Sequence, residues 1–428
     1  MRKSVLSLIL GLFCCVFANA QDFRTSYFLS NYLYDYRINP ACMGNSYDGF
    51  VSVGVGDVTV GVQSSFPMNT VIFKDSGGYH LGVNKDFSEE KLSQIIPAFS
   101  KLNLVIDENI FAMGWNRGNT AGTLEVNLRS YTSGYFDYEL IRMGYYGYDG
   151  IPYSMQNTKF NTRDWVEVAY GFSNSVSDRF SFGGRIKGLI GLNYSDLDVE
   201  VLSCDYGTGI DLKCDGVGSL KSSNTFLRFP VDNGLISPQP QFGRYTIGGF
   251  GVAADLGFLL RTDRDIEISV SALDIGGLLW HNKIYGVQND LRYLDNLEDV
   301  YKFVEETPAS GTSFVMNPVT VEAGVKYPIN QYLSAGTLAT IRVDNTARGW
   351  YEIRVGGSVS PAEVFSIAAS AAMNTLGAGI GMAMNLRVPG VAFTVGTDSL
   401  FGLFSLNSDG IPARKLNTNL HAGLSVAW

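Results

Sequence analysis

The sequence is short of the residues on which catalysis usually rests. Only three histidines occur in 428 residues, His80, His281 and His421, and no pair stands at metal-ligand spacing. No G-x-S-x-G nucleophile elbow is present. The run from Gly249 to Ala254 imitates a dinucleotide loop, but it falls within a strand pattern rather than at a strand–helix turn. These absences point away from an enzyme, a metal site and a bound cofactor. Charge is sparse too: charged residues are 17% of the chain, against about 25% in ordinary globular proteins. The net charge of −9 lacks the basic footprint of a nucleic-acid binder. No run is apolar enough throughout for the roughly 20-residue span of a membrane helix. Val364 to Leu386 carries no charge, but Asn374 and Thr375 interrupt it. Beyond them Ala378, Ile380, Met382, Met384 and Leu386 recur at period two, which predicts two strands joined at Asn374.

Glycine (48 residues) and aromatics (13%) are plentiful. That composition excludes a disordered chain and fits a β-rich protein in an apolar setting. The length suits either two or three domains or one large barrel.

Residues 1–20 read as a signal peptide. Arg2 and Lys3 supply the positive start, Val5 to Phe17 the apolar stretch, and Ala18-Asn19-Ala20 the cleavage site. Three cysteines follow it. In an oxidising exported compartment Cys204 and Cys214 are candidates for a disulfide, which leaves Cys42 unpaired.

Period-two alternation then recurs along the chain. Val166, Val168, Tyr170 and Phe172 oppose Glu167. Phe180, Phe182, Ile186, Ile190, Leu192 and Tyr194 oppose Arg185 and Lys187. Phe250, Val252, Leu256, Phe258 and Leu260 oppose Asp255. Val319 to Tyr327 and Tyr351 to Val355 repeat the pattern around Glu322, Lys326, Glu352 and Arg354. Alternation alone also suits a soluble sandwich. The turns discriminate. Short links (175–179, 262–264, 328–331, 360–363) alternate with long segments (195–244, 274–318), the pattern of an outer-membrane barrel with short periplasmic turns. Fourteen candidate strands follow, at 50–63, 110–117, 123–135, 165–174, 180–194, 246–261, 265–274, 318–327, 332–342, 350–359, 364–373, 377–387, 391–399 and 416–428. The even number puts both ends on the periplasmic side. The expected fold is therefore all-β: a transmembrane antiparallel barrel in the outer membrane, over residues 50–428, in contact with its lipid.

At the C-terminus, Leu420, Ala422, Leu424, Val426 and Trp428 share an apolar face. His421, Gly423, Val426 and Trp428 match each slot of a pattern that resembles the signal read by the outer-membrane barrel assembly machinery. Near the start, Arg37-Ile38-Asn39-Pro40-Ala41 resembles the Asn-Pro-Ala of FadL-type long-chain fatty-acid channels and of the PorV and PorP/SprF proteins of the Bacteroidota. Trp165 to Phe172 and Phe182 to Gly191 resemble a Bacteroidota outer-membrane family of unknown function within that broad group. The resemblance implies a barrel of fourteen strands with an N-terminal plug, here residues 21–49, with Asn39, Pro40 and Ala41 fixing a turn in it. A periplasmic tail is the other reading of that segment. The FadL ligand-binding residues have no match in this chain.

The faces opposite the apolar ones carry Glu125, Arg129, Glu167, Arg185, Lys187, Asp255, Glu267, Glu322, Lys326, Glu352 and Arg354. Acids and bases are mixed, so no single-sign ion filter is present. The expectation is a paired network in the lumen; a polar conduit is the alternative. Asp86 to Leu104 reads as a helix kinked at Pro97, over the mouth or packed on its rim. Two functions stay open. One is passage of a hydrophobic or amphipathic small molecule, as in FadL-type channels. The other is a non-transporting scaffold or secretion accessory that binds secreted or secretion-system proteins, as the PorV and PorP/SprF resemblance implies.

Overall fold

The computed structural model describes residues 23–75, 78–81, 83–146, 152–206, 212–223, 227–228, 231–232, 235–236, 241–242, 247–287, 292–294, 305–343, 349–362, 364–375, 377–400 and 406–428. The signal-peptide expectation at residues 1–20 lies outside them.

Fourteen antiparallel strands close into a ring. Strand β1 runs in two parts, Gly49–Val53 and Val58–Pro67; β2 is Phe99–Arg117, β3 Thr120–Asp137, β4 Tyr153–Ser177 and β5 Phe180–Tyr206. Next come β6 Gly249–Arg261, β7 Glu267–Val287 and β8, again in two parts, Glu305–Met316 and Val319–Asn330. The rest are β9 Leu333–Val343, β10 Trp350–Ala362, β11 Phe365–Asn374, β12 Gly377–Val388, β13 Val391–Thr397 and β14 Lys415–Ala427. Each strand pairs with the next, and β14 returns to β1 through Phe50↔Ala427 and Val58↔Ala422. Closure leaves no open edge, so every strand can satisfy its backbone groups without water.

The polarity is the reverse of a soluble core. Ile186, Val252 and Met373 stand 71%, 71% and 72% exposed on the outer wall, while Lys187 and Glu167 are 1% and 0% exposed inside. An apolar outside around a polar inside is the solution for a barrel in lipid, and this chain is an outer-membrane β-barrel. Tyr327, Tyr332 and Trp428 are exposed near the short-turn ends, where interfacial aromatics belong. Strands β4 and β5, at 25 and 27 residues, exceed the 9–11 needed to cross a bilayer. They carry the wall past the membrane on the long-loop side, where Leu212–Ser222 extends it beside β5.

Three local features depart from the expected pattern. Asp164 pairs with Asn193 and Trp165 with Gly191, so Leu192 is an extra residue in β5. This bulge reverses the parity, and Tyr194 is buried inside rather than lying on the outer face with Phe180 and Phe182. In β7 the backbone turns through Asp274 (φ 60°) and Gly276 (φ 153°). Leu273 is buried before the turn and Leu278 and Trp280 after it, so the strand continues past the point where its alternation changes phase. Finally, the helix expected over Asp86–Leu104 is shorter. It spans Glu89–Ile95 (α1), capped by the Ser88 side chain on the Lys91 N–H. Pro97 ends it instead of kinking it, since a proline lacks the helical N–H donor, and β2 starts at Phe99. A second helix, α2 (Tyr138–Tyr146), packs beside α1 over Phe66, Leu92, Ile96, Phe136 and Ile141.

Cys204 and Cys214 are backbone partners across β5 and Leu212–Ser222. Their side chains lie outside the described residues. We propose that they are bridged. Alkylation under denaturing, non-reducing conditions should modify only Cys42, and both other thiols should react after reduction. Free reaction of all three without reductant would refute the bridge.

Candidate functional site

Residues 23–47 form three short 3-10 turns, Arg24–Phe28, Asp35–Arg37 and Pro40–Cys42. A segment this irregular leaves backbone groups that must find partners elsewhere. It finds them on inward-facing side chains all around the ring. Asp398, after β13, accepts from the N–H groups of Arg24 (3.0 Å) and Thr25 (2.7 Å). Asn385 on β12 donates to the carbonyls of Ser30 and Asn31, Lys326 on β8 to that of Leu29, Ser271 on β7 to that of Ile38, and Ser173 on β4 to that of Met43. The segment therefore lies within the ring.

Asn39, Pro40 and Ala41 sit against β5 and β6. The Asn39 Oδ1 caps the Pro40–Cys42 turn by accepting from the Ala41 N–H at 2.9 Å, and its Nδ2 donates to the Phe258 carbonyl at 2.9 Å. Proline at the first position of the turn supplies the required φ and has no N–H to satisfy. Gly257 and Gly183 face this turn. A Cβ on either would collide with Asn39 or with the Pro40 backbone. On the other side of the ring Thr25 and Phe23 rest on Gly381 and Gly396 in the same way. Wall and segment are thus fitted to each other at main-chain distance.

Two ionic clusters join them. In the larger, Arg185 binds Asp255 (3.1 Å) and Glu125, and Lys187 binds Asp255 (2.8 Å) and Asp274 (2.5 Å). Arg129 holds both Asp274 oxygens at 2.9 Å and approaches Glu167 at 3.4 Å. The segment enters through Tyr36, which donates to Glu125, and through Arg37, which joins Asp57 (2.8 Å) to Asp107 (2.7 Å). Because Arg129 on β3 reaches Asp274 on β7, the cluster crosses the lumen. In the smaller, Glu352 accepts from Arg24 (3.2 Å) and Arg354 (2.9 Å), and the Arg24 guanidinium lies 4.1 Å above the Trp350 ring. The spaces left at the clusters are about 30 Å³ and about 10 Å³, a scale of single waters.

The other residues singled out from sequence lie elsewhere. Glu322 is buried and accepts from Thr340. Glu267 pairs with Arg261 at 3.0 Å near the short turns. His421 is buried and points inward, 2.9 Å from Thr59, 3.1 Å from Asp57 and stacked on Phe23. Val426 and Trp428 face outward, and the Trp428 carbonyl accepts from Asp48 and Gly49 at the start of β1. Gly423 lies where a Cβ would meet the Gly56 carbonyl at 2.6 Å. Sequence reasoning missed Arg24, Arg37, Asp57, Asp107, Asp274 and Asp398. Four stand in the irregular segment or at breaks in strands, where no periodicity marks a face; Asp107 lies in β2 ahead of the strand expected at 110–117, and Asp398 directly follows β13.

Beyond the larger cluster, toward the long loops, the lining turns aromatic. Tyr131 stacks on Trp165 at 5.1 Å and Tyr194 on Trp280 at 5.2 Å, with Val105, Leu189, Leu278 and Val315 between them. The Nε1 atoms of Trp165 and Trp280 are buried with no hydrogen-bond acceptor among the described residues.

Several solved structures follow a similar course. The Ralstonia pickettii toluene transporter TbuX is 10% identical with a TM-score of 0.46, over 91% of this chain and 92% of its own. The Pseudomonas putida toluene transporter TodX is 11% identical with a TM-score of 0.46, over 96% and 98%. A Pseudomonas aeruginosa FadL homologue is 12% identical with a TM-score of 0.47, over 94% and 95%. No curated protein matches the sequence. Between residues 40 and 398, from the Pro40 turn to Asp398, the sequence matches the model of a family of unknown function, DUF5723, and the chain belongs to that family.

Proposed function

We propose that this barrel binds and passes a hydrophobic or amphipathic small molecule, that residues 21–49 are its plug, and that its role is not enzymatic. The observation that carries the reading is the aromatic layer on the long-loop side of the ionic cluster. Two buried indole N–H donors with no acceptor among the described residues leave room for a partner. A ligand with an apolar body and an oxygen acceptor meets both requirements of such a lining.

Mass spectrometry of material bound to the detergent-purified barrel tests this. The comparators are an unrelated outer-membrane barrel and the Trp165→Phe/Trp280→Phe variant, which keeps an aromatic, though smaller, ring at each position and removes both donors. A species enriched on the natural chain and reduced several-fold on the variant is the expected result. The same background lipids in all three samples would refute it.

A second reading is a scaffold for secreted or secretion-system proteins, in keeping with the PorV and PorP/SprF resemblance and a Bacteroidota origin. It is favoured by how closely the segment and the ionic clusters fill the interior. On either reading we propose that the C-terminal strand, with His421, Gly423, Val426 and Trp428, engages the barrel assembly machinery.

A further inference from the structure

A cavity of about 470 Å³ opens on the short-turn side, between the lumenal segment and the ends of β6–β10. Its size is that of a small-molecule site. It is separate from the aromatic layer, and neither reading above uses it. Its charges are unevenly spent. Of its two bases, Arg261 is paired with Glu267 at 3.0 Å and Lys326 donates to the Leu29 carbonyl at 3.1 Å. Of its acids, Asp35 has one oxygen, Oδ1, buried with no hydrogen-bond partner among the described residues, and Asp265 adds a carboxylate at the β6–β7 turn. Apolar and aromatic surface from Leu29, Ile38, Tyr27 and Tyr332 completes the lining.

We propose that this cavity binds a small organic ammonium ion with an apolar or aromatic body, entering from the periplasmic side. The ammonium supplies the hydrogen-bonded cation that the Asp35 carboxylate lacks, with Asp265 as a second acceptor, and tyrosine rings favour such a cation. An anion would meet three acidic side chains, Asp35, Asp265 and Glu267, against two bases, one of them already paired with Glu267. The protonation of Asp35 agrees. Burial pushes its carboxyl well above the usual range, Lys326 opposes that shift, and Glu267 adds to it. Arg261, Asp265, the Cys42 thiol and the Tyr27 and Tyr332 phenols are the other titratable groups at the cavity. A bound cation favours the ionised carboxylate, so binding releases a proton and affinity rises with pH while the amine stays charged.

Phenethylammonium is the probe, titrated calorimetrically into the full-length barrel in lipid nanodiscs, with phenylpropionate as the anionic comparator. Saturable binding of the amine alone is expected, weakened about tenfold or more by Asp35→Asn. Because Asp35 helps shape the segment, Asp265→Asn at the turn is the second variant, with a smaller loss expected. Cys42 supplies a local readout: the amine should slow its alkylation by N-ethylmaleimide, located by peptide mass. No amine binding, equal or tighter binding of phenylpropionate, or amine binding unchanged in both variants would overturn the proposal.

Discussion

Deleting residues 23–47 is expected to turn a closed barrel into one that conducts ions. The segment supplies Phe28, Leu33, Tyr34 and Tyr36, each at most 3% exposed, to the cluster it packs with the wall. Its guanidinium groups, Arg24 and Arg37, tie it to both ionic clusters. The wall around it presents Gly183, Gly257, Gly381 and Gly396, which would fill none of the space vacated. A ring of fourteen strands is wider than the eight whose side chains alone fill the interior. The wall keeps its own strand pairing without the segment, so the deletion should open a pore and leave the barrel closed on itself. One region is exposed to collateral damage, the seam between β14 and β1. There the ladder is interrupted at residues 54–57, and Tyr34 donates to Ser52 and contacts Ser425, both at 2.9 Å. Lower heat stability of the deletion is therefore expected together with the conductance.

Replacing Arg185 by Ala should be the most destabilising single substitution in the larger cluster. Arg185 is 1% exposed, faces Glu125, Asp255 and Glu167, and its guanidinium lies 5.7 Å from the Tyr36 ring centre. Removing it leaves the buried Glu125 without its paired cation, while Asp255 and Glu167 keep Lys187 and Arg129; stripping one partner from a buried pair costs about 3–5 kcal/mol in other proteins. Removing the charge on both sides should cost less, because an apolar replacement of a whole buried pair is often close to neutral. The Arg185→Met/Glu125→Leu variant is thus expected to be more stable than Arg185→Ala. Denaturant titration followed by heat-modifiable gel mobility reads both. Equal loss in the single and double variants would mean that the cluster is not a coupled unit.

Most of the wall was legible in the sequence, because lipid outside and polar groups inside impose one period on every strand. The expected strand at 377–387 is β12 within a residue at either end, and the one at 350–359 starts where β10 starts. The reading failed where that period is broken. The bulge at Leu192 put Tyr194 on the wrong face, and the turn at Asp274–Gly276 hid the far half of β7, with Trp280 in it. In β8 the Asn317-Pro318 break, where the proline lacks an N–H for the ladder, separates Glu305–Met316 from the expected strand at 318–327. The interior was legible only on its wall side. Glu125, Arg185, Lys187 and Asp255 stand out on alternating strands. Arg24 and Arg37 lie in turns, and what they meet is decided by how the segment threads the ring.

Single-channel recording in planar bilayers, with the full chain and the Δ23–47 variant inserted under the same conditions, tests the central claim most directly. The account predicts a full chain that is closed or nearly so and a deletion with steady, ohmic openings many-fold larger. If the full chain already conducts at the level of the deletion, the segment does not close the lumen, and the account is wrong.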